Sequence, residues 1–132
     1  MRFLRKLASR SCRQGTAAIE YAFVLPLLLA LIFGIIDTGR VLWTKTTLAR
    51  AVEAAARCGA INTTKCLTDA QIKANAVAEA WGLSIDASAF TVTRPVCGVR
   101  VQATYAFTFT IPLISSLGTI SLDQTACYPA VG

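Results

Sequence analysis

Apolar residues fill positions 16–36 almost without interruption, recur at helical spacing from there to about Cys58, and alternate one for one with polar residues beyond Asp86. Each pattern predicts a different element. The first run holds 21 residues with no Lys, Arg or Asp; at about 1.5 Å per helical residue it matches a hydrocarbon core of roughly 30 Å. The second keeps Val41, Leu48, Val52, Ala55 and Ala56 on one face and Arg40, Lys45, Arg50, Glu53 and Arg57 on the other, the signature of an amphipathic helix. One long helix is therefore expected to leave a membrane and become the spine of a small domain, with Gly59 as its stop. Pro26 removes one backbone bond inside the apolar half and predicts a bend or loosening there. Ala18 with Ala22, and Ala30 with Gly34, are small residues four apart that permit close helix contact in lipid.

Residues 62–66 read as a loop, after which Thr68 and Gln71 form a capping box opening a short helix. Ile72, Ala76, Val77, Ala80 and Trp81 are its expected buried stripe, with Gly82 ending it. The period then falls to two. Residues 99–111 give the clearest strand, 90–94 an earlier one closed by Pro95, and 119–127 a later one with Ile120 and Leu122 inward. Ser115 and Ser116 read as turn residues. The expected fold class is α+β: a long N-terminal transmembrane helix continuing into a small domain with one short helix and a three-stranded antiparallel sheet, which needs a cover on its apolar face. The expected division is a basic leader at 1–15, a transmembrane segment at 16–36 and an extracytoplasmic domain at 37–132.

Charge sharpens this picture. Of the net charge of +6, five units reside in the leader: Arg2, Arg5, Lys6, Arg10 and Arg13 precede Gly15, and beyond it eight basic residues face seven acidic ones, leaving only +1. That removes the case for a nucleic-acid surface. Cationic flanks hold an N-terminus in the cytoplasm and send the following segment outward. Everything past Ile36 then lies in an oxidising compartment, where Cys58, Cys66, Cys97 and Cys127 are expected to form disulfides. Cys12 falls in the leader. Four cysteines allow three pairings; Cys58 with Cys66, leaving Cys97 with Cys127, is favoured, although the second pair requires the chain to curl around Gly98. Zinc is the competing use, but the chain has no histidine and the Cys58 to Cys66 spacing is too wide for a knuckle.

Candidate chemistry is sparse. Neither a carboxylate pair at suggestive spacing nor a phosphate-cradling glycine loop is present, so no enzyme and no cofactor are expected. Asp37 and Arg40 are spaced for an ion pair across one helical turn at the membrane exit, or for an assembly contact. Trp43, just past the apolar run, suits either the lipid interface or packing against the domain. The exception is Glu20, a carboxylate inside the apolar run. Alone it is tolerated near the positive end of the helix dipole or reaches the headgroups. Its setting changes the reading: five basic residues, Gln14-Gly15, then Thr16-Ala17-Ala18-Ile19-Glu20-Tyr21.

That setting resembles the processing site of type IV prepilins, cut after the glycine by a membrane aspartyl peptidase. Cleavage after Gly15 would free an α-ammonium on Thr16, a partner for Glu20 of a neighbouring subunit, and would delete the cationic leader. The Glu20-Tyr21 pair, Leu25-Pro26-Leu27, Asp37-Thr38-Gly39-Arg40 and the alanine-rich stretch 49–59 together resemble the TadE-like family. The resemblance implies a minor pilin or pseudopilin of the tight-adherence (Tad) machinery that builds Flp pili for surface adhesion. It implies as partners a prepilin peptidase, other pilin subunits, inner-membrane assembly components and lipid, and as location the bacterial inner membrane with the domain periplasmic. Thr16 stands where related type II secretion pseudopilins usually carry Phe, which favours the Tad reading. An uncleaved single-pass anchor and a soluble binding domain exported by a signal peptide are the alternatives; no A-x-A cleavage site follows the apolar run, against the latter.

Overall fold

The computed structural model describes residues 4–62, 64–110 and 118–130, with 4–14 and 16 described as backbone alone. Helix α1 spans Leu4–Ile61, 58 residues and about 87 Å of rise. Helix α2 spans Asp69–Glu79, and the strands are β1 Phe90–Thr93, β2 Val99–Phe107 and β3 Ile120–Tyr128. The three strands form one antiparallel sheet in the order β1-β2-β3. This is the α+β architecture expected from the periodicities.

Beyond Asp37, α1 lies across one face of the sheet and α2 packs beside it. Thr44, Thr47, Leu48, Ala51, Val52, Ala55, Ala56 and Ala60 bury one stripe of α1, while Arg40, Lys45, Arg50, Glu53 and Arg57 stay exposed. Alanines dominate that stripe, so the helix axis can approach the sheet closely. Ile72, Ala76 and Ala80 of α2, Phe90 of β1 and Val99, Val101 and Ala103 of β2 complete the core. Phe90, Leu48, Ile72, Val52 and Val101 are its largest fully enclosed side chains, each worth about 1.5–3 kcal/mol on burial. The apolar residues 17–36 carry no such cover: Phe23 and Leu27 are 78% and 75% exposed, and no residue in the most apolar stretch of α1 is buried.

Helix α2 begins as its capping box predicts: the Gln71 N–H donates to the Thr68 hydroxyl at 3.3 Å and the Thr68 N–H to the Gln71 side chain at 3.0 Å. Several boundaries differ from expectation. Helix α1 begins at Leu4, ahead of the expected Thr16, and continues through Pro26. Gly59 does not stop it; the helix runs on to Ile61, and Asn62 turns the chain by accepting the N–H groups of Thr64 and Lys65 on its side chain. Gly59 instead marks a close approach, since a Cβ there would stand 2.7 Å from Ile72 Cδ1 and 3.0 Å from Val99 Cγ1. Trp81, expected in the buried stripe, is 59% exposed, because α2 has ended two residues earlier.

Strand β2 ends at Phe107, short of the expected Ile111, and Ile111, Ser115 and Ser116 lie outside the described residues. The ladder ends where Phe107 pairs with Ile120, the first residue of β3, and beyond it the Thr110 N–H donates to the Asp37 carboxylate of α1. On β3, Leu122 is partly buried against the core. Ile120 pairs with Phe107 and so shares its face, but it sits at the sheet's end and remains 37% exposed.

Candidate functional site

Two regions carry the residues singled out by sequence: the head of the apolar helix and its exit into the domain. At the head, residues 15–21 lie within α1. A Cβ added at Gly15 would meet nothing within 4 Å outside its own helix, Glu20 is exposed and Tyr21 is 72% exposed. The backbone of Thr16 is helical. The ion pairs among the described residues are Asp37 with Arg40 and Asp69 with Arg94, and Glu20 belongs to neither. A helical, open Gly15 followed one and a half turns later by an exposed carboxylate is a surface that another molecule can reach.

At the exit the residues are brought together from distant parts of the chain. Asp37 is only 3% exposed. Its carboxylate accepts from Arg40 at 3.0 Å and from the Thr110 backbone N–H at 3.1 Å. Arg40 also donates to the Thr110 hydroxyl, and its guanidinium lies over the Phe107 ring at 5.2 Å, a favourable cation–π geometry. Phe109 meets Phe107 edge to face. One turn below, the Thr38 hydroxyl donates back to the Gly34 carbonyl at 2.7 Å, which satisfies that hydroxyl where the apolar run ends. The expected ion pair of Asp37 and Arg40 is therefore present, but its larger role is to fasten the end of β2 to α1. Sequence reasoning missed Thr110 and Phe107 as its partners; nothing local to either residue signals the contact.

The cysteines form two pairs at disulfide distance. Cys58 and Cys66 have Cα atoms 5.8 Å apart, closing the loop between α1 and α2. Cys97 and Cys127 are 6.4 Å apart across a sequence separation of 30. Register alone does not bring them together, since Cys127 lies opposite Arg100. The chain curls at Gly98, whose φ of +117° suits glycine and whose N–H donates to the Pro95 carbonyl at 2.9 Å.

Above the exit, Trp43 of α1 and Trp81 following α2 meet edge to face with ring centroids 5.7 Å apart. A cleft of about 400 Å³ lies beside them, lined by Ile36, Arg40, Trp43, Leu83 and Phe107 among others. No cluster of three metal-ligating side chains occurs among the described residues.

No curated protein and no solved structure matches the chain. Residues 15–57, which run from the exposed glycine through the apolar helix and the Asp37–Arg40 exit, match the family model described as TadE-like protein, so this segment of the chain is similar to that family.

Proposed function

We propose that the chain is a minor pilin or pseudopilin of a Tad-type (Flp) pilus assembly system, a structural component and not an enzyme. It is anchored in the bacterial inner membrane with its N-terminus cytoplasmic and its domain periplasmic, and a prepilin peptidase removes residues 1–15 by cutting after Gly15. The observation that carries this reading is the coincidence of Gly15 and Glu20 at the head of an exposed apolar helix inside the segment that matches the TadE-like family.

The physical logic is a switch. A carboxylate in lipid costs a few kcal/mol unless paired, and cleavage supplies the cation, the new α-ammonium of Thr16. Pairing with Glu20 of a neighbouring pilin subunit offsets that cost only when the two helices are in register. Tyr21, beside Glu20 and exposed, adds an aromatic face to the same contact. Because Gly15 lies in unbroken helix, the peptidase must locally unwind α1, which glycine eases. The domain, joined rigidly to the helix at Asp37, then moves with it, serving pilus biogenesis and through it surface adhesion.

The test is the N-terminal sequence and intact mass of the protein from bacterial membranes with and without an active prepilin peptidase. A peptidase-dependent start at Thr16, with a mass deficit of two disulfides, is the expected result. A start at Met1 in both preparations would make it a static single-pass anchor, and a start beyond Ile36 a released binding domain.

A further inference from the structure

The end of the domain nearest the apolar helix is assembled from α1 and two elements, α2 and β2, that run back toward it. Gly59 of α1 packs on Ile72 and Val99, near the starts of α2 and β2. Closer to the apolar run, Trp43 meets Trp81 just past the end of α2, and Arg40 meets Phe107 and Thr110 at the end of β2. Both elements therefore descend α1 toward Ile36. Trp81, which lies on a separate element, is thus brought to the level of Trp43, and the two indoles remain 59% and 52% exposed despite their contact.

That level coincides with the edge of a bilayer spanned by residues 16–36. Trp43 lies seven residues past Ile36, about 10 Å of helical rise, and helical side chains lean back toward the N-terminus over the preceding turn, which lowers the indole by several Å. The interfacial layer on each side of the hydrocarbon is about 5–8 Å deep. Tryptophan favours that layer because its ring is apolar and its N–H is polar. Arg40, half exposed while paired with Asp37, lines the same cleft as Trp43. The exposed apolar surface is also continuous: Ile35, Ile36 and Leu42, 66%, 49% and 58% exposed, link the spanning run to Trp43.

We propose that this end of the domain rests in the lipid headgroup layer, with Trp43 and Trp81 as its aromatic anchor, so that the domain is docked on the bilayer rather than held above it. The inference rests on the membrane-anchor reading of α1. Docking fixes the domain's tilt and height before any assembly step, and extraction of the helix must also lift two indoles out of the interface.

Trp43 and Trp81 are the only tryptophans in the chain, so fluorescence reports on them alone. The full-length protein is reconstituted in phosphatidylcholine–phosphatidylglycerol vesicles carrying lipids brominated either high on the acyl chain or near its end. Trp43→Phe isolates Trp81, the informative residue. The expected result is a roughly twofold loss of Trp81 emission with the shallow bromines and little loss with the deep ones. The unsubstituted protein repeats the test without a variant, all of its emission being lipid-quenchable if both indoles are docked. Quenching of Trp81 by aqueous iodide alone would overturn the proposal, as would protection from both quenchers, which would mean a second protein covers it. Failure of the protein to float with the vesicles would overturn the anchor reading as well; flotation with Trp81 unquenched by lipid overturns docking alone.

Discussion

The carboxylate of Asp37 accepts the backbone N–H of Thr110 at 3.1 Å across 73 residues of sequence. Asp37 is the first residue past the apolar run, so this bond ties the chain just beyond the central strand to the foot of the domain. It joins the Arg40 contacts with Phe107 and Thr110 in linking α1 to the end of β2 below the alanine-rich stripe. Arg40 bridges to the same threonine, so two side chains of α1 hold this part of the chain.

Removing the Asp37 carboxylate therefore loosens the joint and leaves a part-buried N–H unmet. Asp37→Ala is expected to cost about 2–3 kcal/mol, the range for an unsatisfied partner of a charged hydrogen bond. Asp37→Asn, which keeps an acceptor but loses the charge facing Arg40, should cost less. Urea unfolding of the detergent-solubilised protein, followed by near-UV circular dichroism, checks both; equal and negligible losses would show that the joint contributes nothing to stability.

Gly59 is a helical glycine that alanine should not improve. Alanine is the better helix former by about 1 kcal/mol, so at an exposed helical glycine the substitution would stabilise. Here the new methyl group would meet Ile72 and Val99, both part of the core and unable to swing into solvent. Overpacking typically costs about 1–3 kcal/mol, so Gly59→Ala should be neutral to destabilising by about 2 kcal/mol, read as a lower midpoint in the same urea titration. A raised midpoint would mean that α1 can shift away from α2.

At Gly98 the obstruction is backbone. A Cβ would collide with the Tyr128 carbonyl, the Ala130 nitrogen and the Pro129 Cα, and φ is +117°. Gly98→Ala must move the curl that carries Cys97 to Cys127. Thiol alkylation and intact mass should then show two additional reactive thiols, with Cys58 and Cys66 still oxidised. Full oxidation with normal stability would place the curl elsewhere.

What could be read from the sequence was whatever repeats locally. The apolar run, the helical stripe through Leu48, Val52 and Ala55, the Thr68–Gln71 box and the alternation from Val99 to Phe107 each encode an element in a few turns of chain. What could not be read depends on partners far away. Gly59 looks like a helix stop until Ile72 and Val99 are placed against it. Trp81 looks like a core residue because the periodicity of α2 extends to it, although the helix ends at Glu79. Strand β2 ends at Phe107, opposite the first residue of β3, and the Thr110 N–H beyond it turns to Asp37. The motif at Gly15 and Glu20 stands out in the sequence for a different reason: a carboxylate in an apolar run is conspicuous wherever the chain folds.

Cleavage and assembly should separate at that carboxylate. If the Thr16 ammonium and Glu20 of adjacent subunits pair in lipid, Glu20→Gln should leave peptidase cleavage intact, because the cut bond lies more than a turn away along α1. Assembly should suffer instead. Loss of an ion pair worth about 2–3 kcal/mol in an apolar medium lowers a pairwise association constant by about 30- to 150-fold. Cysteine cross-linking between membrane helices, with the substitution Ala18→Cys, would report this as a fall in dimer yield at unchanged protein level and an unchanged start at Thr16. An unchanged yield would remove Glu20 from the contact, and a block in cleavage would assign it to peptidase recognition.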